Sequence, residues 1–134
     1  MHIDIALLVR DALAHSGCDK NLISDFDGHS TITLEFSDSL DINISIDDNC
    51  VWLWSPLCEV SSNLICQLSE NILNKLMEEC LFTVTKQLQL VSRNQYINLA
   101  GVVAPAYLAD GASFSAALEE FFHLKNNYSE MLCL

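Results

Sequence analysis

The chain has 134 residues, 51% of them hydrophobic, and 18 acidic residues against six basic ones give it a formal net charge of −12. That length suits one domain burying about two-thirds of its unfolded surface, and the composition is too apolar for a disordered chain. So acidic a surface repels phosphate backbones and anionic lipid, which excludes nucleic acid and membrane surfaces as natural partners and leaves polypeptides.

Residues 3–16 predict a helix. Asp4, Asp11 and His15 fall on one narrow stripe, while Ile3, Ile5, Ala6, Leu7, Val9, Ala12 and Leu13 cover most of the rest. This is more apolar surface than a small core requires. Gly17 is placed to stop the helix. The charges at Asp4, Arg10 and Asp11 break the uninterrupted apolar run that a signal peptide needs. The longest uncharged run, residues 94–109, contains Asn, Gln and Pro and is too short to span a bilayer. A cytosolic chain is expected. Residues 18–28 then form a polar, acidic connection with a short apolar patch at Leu22 and Ile23.

Strand patterning follows. Ile32, Leu34 and Phe36 alternate with polar residues, and Ser37, Asp38 and Ser39 turn the chain. Leu40, Ile42, Ile44 and Ile46 alternate again, and Asp47, Asp48 and Asn49 make a second turn. Val51, Trp52, Leu53 and Trp54 complete a three-stranded meander that Pro56 is expected to close. The two tryptophans share one face of their strand and Val51 and Leu53 the other, so both faces are apolar. One face meets the helices; the other needs a cover, or offers an aromatic anchor to a partner.

A second helix is predicted over residues 62–81, capped by Ser61 or Ser62. Leu64, Ile65, Leu68, Ile72, Leu73, Leu76, Met77 and Cys80 spread over an arc of about 220° at 100° per residue. A helix lying on a globular domain needs an apolar stripe of about 100° or somewhat more. The surplus points to a second copy of the chain or another polypeptide, and so to a binding protein rather than an enzyme. Leu88 and Leu90 then alternate with glutamines, Ser92, Arg93 and Asn94 turn, and a strand over residues 96–103 ends at Pro105. Asp110 and Gly111 start a last helix in which Phe114, Ala117, Leu118, Phe121, Tyr128 and Met131 recur at helical spacing. The predicted order is α-β-β-β-α-β-β-α. It describes an α+β fold, one domain over residues 1–134, with an antiparallel sheet packed by helices.

The residues that could carry chemistry do not assemble a site. Asp27, His29 and Ser30 have the residue types of a hydrolytic triad, but neighbours entering a strand point to different faces instead of converging, and no G-x-S-x-G elbow is present. Asp25, Asp27 and Gly28 hint at a calcium loop, yet that loop needs glycine sixth and a carboxylate twelfth. Here the glycine comes fourth and Phe36 twelfth. His15 and Cys18 have metal-ligand spacing, but two ligands make no site, and nothing directs His2 or His29 to join them. The six cysteines contain no C-x-x-C pair, and Cys66 and Cys80 on an apolar helix face are expected as buried free thiols. With four glycines in the whole chain, no phosphate-cradling loop can be built. Neither a catalytic residue, a metal nor a cofactor is expected.

Several segments together resemble class I type III secretion chaperones, in the multi-effector branch represented by InvB and SpaK. They are Leu8-Val9-Arg10 with Ala12-Leu13, Ser16-Gly17-Cys18-Asp19, Leu22-Ile23, and Asp27-Gly28-His29-Ser30-Thr31-Ile32. Further on come Val51-Trp52-Leu53-Trp54, Asn71-Ile72-Leu73, and Leu108-Ala109-Asp110-Gly111 with Phe114 and Ala117-Leu118. The match thins between Leu81 and Ala104. The resemblance implies a small, acidic homodimer in the bacterial cytoplasm that is neither an enzyme nor in need of a cofactor. It implies binding of an extended segment near the N-terminus of several secreted effectors, which are kept secretion-competent and released at the export apparatus with the help of its ATPase.

An extended peptide binds by adding a strand to a sheet edge and seating alternate side chains in apolar pockets. On that basis effector contact is assigned to Ile5, Leu8, Val9 and Ala12 on the first helix and to Trp52 and Trp54 on the sheet. The dimer interface is assigned to Leu73, Met77 and Cys80, on the side of the long helix away from Leu64 and Leu68. Two other readings stay open: an adaptor for folded partners without a role in export, and a small hydrolase built on His29 with a cysteine or serine.

Overall fold

The computed structural model describes residues 4–16 and 31–133. Its elements are α1 (Ile5–His15), β1 (Ile32–Leu34), β2 (Ile42–Asp47), β3 (Cys50–Glu59), α2 (Ser62–Leu76), β4 (Gln89–Arg93), β5 (Tyr96–Val102) and α3 (Gly111–Cys133), with a 3-10 turn at Pro105–Leu108 before the last helix. The order is the one the sequence predicts. The readings at Gly17, Cys18, Leu22, Ile23, Asp25, Asp27, Gly28, His29, Ser30 and His2 lie outside the described residues.

The five strands form one antiparallel sheet in the order β1-β2-β3-β5-β4. Two of its hairpins turn over two residues with positive φ: Asp48 (52°) with Asn49 (61°), and Asn94 (54°) with Gln95 (68°). That backbone is the type I′ turn whose twist matches paired strands. It sets the second turn one residue later than the spacing suggests, at Asn94 and Gln95. The predicted stop at Pro56 is overturned: β3 runs on to Glu59. Pro56 lies beyond Trp54, the last residue that β2 pairs, and a register shift between Pro56 and Cys58 takes up the irregularity. At that position the missing N–H costs no β2 bond.

Alternation along β3 divides the sheet into two faces. Val51, Leu53, Ser55 and Leu57 are buried under the helices, while Trp52, Trp54 and Pro56 are half-buried on the opposite face; past the register shift Cys58 pairs with Ile97 and packs against the core. Ile32, Leu34, Ile42, Ile44 and Leu99 complete the inner layer, against Phe114, Ala117, Phe121, Tyr128 and Leu132 of α3. Asp4 caps α1 by accepting from the Leu7 N–H at 3.1 Å. Asp110 accepts from the Ser113 N–H at 2.8 Å at the start of α3, and that bond holds its carboxyl below the usual aspartate value. A Cβ on Gly111 would stand 2.6 Å from the Asp11 Cβ, so the absent side chain is what lets α1 and α3 touch.

The second helix stops earlier than predicted, at Leu76 rather than residue 81, with Ser61 as its cap (Leu64 N–H to Ser61 Oγ, 3.3 Å). Beyond it the chain turns inward. Cys80, Phe82 and Thr83 are buried, and Phe82 meets Phe121 edge-on at 6.3 Å. Burying an aromatic ring stabilises by about 2 kcal/mol or more, which outweighs the few tenths that Glu78 and Glu79 gain by continuing a helix.

Candidate functional site

The sheet face turned away from α1 and α3 forms a hollow of about 500 Å³. Trp52 and Trp54 lie at its centre, Thr31 and Ser45 on one side, and Gln89, Val91, Asn98 and Ala100 on the other. Register places Trp52 between Ser45 and Val102, and Trp54 between Asn43 and Ala100. The Trp54 indole N–H donates to Ser45 Oγ at 3.0 Å, and Ser45 Oγ lies 2.9 Å from Thr31 Oγ1. Thr33 Oγ1 donates to Asn43 Oδ1 at 2.7 Å, and Asn98 Nδ2 to the Tyr96 carbonyl at 3.1 Å. The indole of Trp54 is thereby held in place, and the floor is a firm platform of aromatic and amide groups with Asp47 and Arg93 on its lining. The strands beneath already spend their backbone groups on each other, so a ligand on this face binds through side-chain contact.

The second surface is α2, no residue of which is fully buried. Leu64, Leu68, Ile72 and Leu76 form one row that leans on the core. The adjacent row, Ile65, Ser69, Leu73 and Met77, faces outward, with Leu73 and Met77 each 60% exposed. The expected division of the helix into two sides is therefore present, and Leu73 and Met77 stand on the outward one. Cys80 does not join them: it lies past the end of α2 and is 3% exposed. Burial and the nearby Glu120 carboxylate push its thiol up to about 11. Cys80 is consequently neutral and inert at physiological pH. Cys66, expected as a buried thiol, is exposed on α2; Cys50, Cys66 and Cys80 are free thiols.

The expectation for α1 requires a larger correction. Ile5, Leu8, Val9 and Ala12, assigned to effector contact, are core residues, with Val9 and Ala12 wholly enclosed. They share with Ala6 and Leu13 a buried arc of about 160° that packs against α3 and joins the common core. Leu7 is the large apolar side chain that α1 turns outward, half of it exposed. The wide apolar circumference of this helix thus serves the fold, because these side chains belong to the same buried cluster as α3 and the inner sheet face. Trp52 and Trp54 sit together on the outer sheet face; the outward residues of α2 form a separate surface.

One buried group was missed in the sequence. Lys125 of α3 is 0% exposed and interrupts a row of apolar residues four after Phe121 and three before Tyr128. A lone cation on the apolar stripe of a helix was the available signal. Among the described residues no helix is long and apolar enough to cross a membrane.

A model of the invasion protein B family matches residues 17–94. The surface presentation of antigens protein SpaK of Salmonella typhimurium is 41% identical over 131 residues, which cover 98% of this chain and 97% of SpaK. The Salmonella typhi protein of the same name matches to the same extent. Among solved structures, the ExsC–ExsE complex aligns over 98% of this chain and 97% of its own with a TM-score of 0.67 at 12% identity. The heterodimeric ExoU–SpcU complex from the type III secretion system of Pseudomonas aeruginosa aligns over 93% and 98%, at a TM-score of 0.61 and 16% identity. The HopA1–SchA chaperone–effector complex aligns over 94% and 93%, at 0.58 and 13%. At such identities the structures establish a shared fold. The match of the family model to more than half the chain, together with 41% identity along nearly all of it, establishes more: this chain belongs to the invasion protein B family.

Proposed function

We propose that the chain is a type III secretion chaperone of the bacterial cytoplasm that binds the N-terminal segments of several secreted effectors in extended form and keeps them competent for export. Family membership at 41% identity carries this reading, and the fold shared with the ExoU–SpcU and HopA1–SchA complexes supports it. The chain works as a homodimer, without a cofactor and without catalysis, and hands its client to the export apparatus and its ATPase.

Each part of the reading has a physical basis. An extended segment gains affinity by adding a strand to an open sheet edge, and specificity by seating side chains on apolar surface. β1 and β4 are the outer strands of the sheet, and Trp52 and Trp54 give the adjoining face two aromatic anchors of the kind that concentrate binding energy. Leu73 and Met77 supply an outward ridge on α2 for a two-fold, self-complementary contact. The net charge of −12 keeps so apolar a dimer soluble.

The test is Trp54→Glu in the full chain, titrated with the N-terminal segment of a secreted effector. The expected result is an intact dimer with client affinity reduced by about tenfold or more, the loss of one aromatic anchor. A folded dimer with unchanged affinity would remove Trp54 from the client site.

A further inference from the structure

Lys125 has no role in the reading above, yet its setting is elaborate. A buried ammonium must be paired or fully hydrogen-bonded. Among the described residues no carboxylate pairs with it. Its three protons instead reach the Leu40 carbonyl at 2.8 Å, Ser39 Oγ at 3.0 Å and Asn126 Oδ1 at 3.1 Å. The nitrogen also lies 4.5 Å from the centre of the Phe122 ring and 5.4 Å from that of Phe36, and these rings are 5.0 Å apart. Burial pushes the amine down to about 8, against the opposing pull of the Asp41 carboxylate.

Two of the three acceptors belong to residues 35–41, the connection from β1 to β2, although they are 85 and 86 positions away in sequence. Phe36 belongs to the same connection and rests on Phe122. β1 has three residues and, among the described residues, pairs with β2 alone. Such a ladder is marginal by itself and depends on what holds its ends. One end continues directly into the segment that Lys125 grips.

We propose that Lys125 is a positioning residue: its ammonium ties the β1–β2 connection to α3 and thereby holds β1 in register at the edge of the sheet. Combined with strand addition, and resting on that part of the proposed function, this makes α3 the element that sets the edge presented to a client.

The experiment is amide hydrogen exchange on the full-length dimer, comparing wild type with Lys125→Met, which has similar length and no charge. Lys125→Met is expected to accelerate exchange in β1 and at the β1-facing amides of β2 by about tenfold or more, leaving β3, β5 and α3 as protected as before. Ser39→Ala removes one acceptor without touching α3. It should give the same pattern more weakly, and it serves as the probe if Lys125→Met does not fold. Unchanged exchange in β1, or equal acceleration throughout the chain, would overturn the positioning role. Titration of both variants with an effector N-terminal segment tests the link to the client separately. Affinity reduced in step with the loosening of β1 supports it, and a loosened β1 with full affinity overturns that link while leaving the clamp in place.

Discussion

Substituting Leu73 tests the proposed two-fold contact most cleanly, because this side chain takes no part in the core. It is 60% exposed and stands outside the set that packs against the buried cluster, whereas Leu64, Leu68, Ile72 and Leu76 belong to it. Burying a whole leucine stabilises by about 1.5–3 kcal/mol, so covering its exposed part contributes about 1–2 kcal/mol. A two-fold interface counts each residue twice, giving about 2–4 kcal/mol per dimer from Leu73 alone. Leu73→Ala keeps part of that area and should raise the dimer Kd by about 10- to 100-fold. Leu73→Asp loses all of it and adds a desolvated carboxylate in each protomer, so the rise should exceed about 1000-fold. Sedimentation velocity over a concentration series reads the shift, with far-UV circular dichroism confirming that the helices remain. A Leu73→Asp chain that sediments as a wild-type dimer would refute the placement of the interface on this ridge.

Three further expectations concern the fold. Lys125 has a folded value of about 8 against an ordinary 10.5, so between those values the unfolded chain binds a proton that the folded one does not. Wild-type stability relative to Lys125→Met should therefore rise from about pH 8 to pH 10.5, by at most about 3 kcal/mol. Cys80 and Tyr128 are both pushed up, to about 11 and about 12 from ordinary values of 9.0 and 10.0. They make both chains lose stability over those higher ranges and cancel in the difference, and a flat difference between denaturation curves would contradict the Lys125 setting. Gly111→Ala should cost about 1–3 kcal/mol by pushing α1 off α3, since the new Cβ would stand 2.6 Å from that of Asp11; an unchanged melting temperature would refute the close contact. Leu8→Asp should unfold the chain while Leu7→Asp leaves it folded, and the reverse order would restore the first helix as a surface element.

The order of elements was legible because period-2 and period-3.6 patterns alternate cleanly, from Ile32 and Leu34 through Ile42 and Ile44 to the Phe114, Ala117 and Phe121 series. The outward ridge of α2 was legible for a related reason: an arc of about 220° exceeds what one core can cover. The same reasoning failed on α1, since apolar width does not distinguish a helix with a partner from one sunk into the core of its own domain. Ile5, Leu8, Val9 and Ala12 are buried in the core that α1 shares with α3, a fact of tertiary arrangement that no periodicity carries. The end of α2 and the run of β3 through Pro56 were missed for a similar cause. Burial of Phe82 and a register shift beside Asn98 override local preference. Lys125 was the opposite case, a visible breach of an apolar stripe.

Capture from the source bacterium tests the central claim most directly. The chain, tagged and expressed in cells that are making secreted effectors, would be recovered with its bound proteins, which mass spectrometry identifies and limited proteolysis maps. The account predicts secreted effectors held through protease-sensitive N-terminal segments, with the captured amount falling in a Trp54→Glu chain that remains dimeric. Recovery of folded housekeeping proteins alone, with no effector among them, would contradict it and identify the chain as an adaptor outside the export pathway.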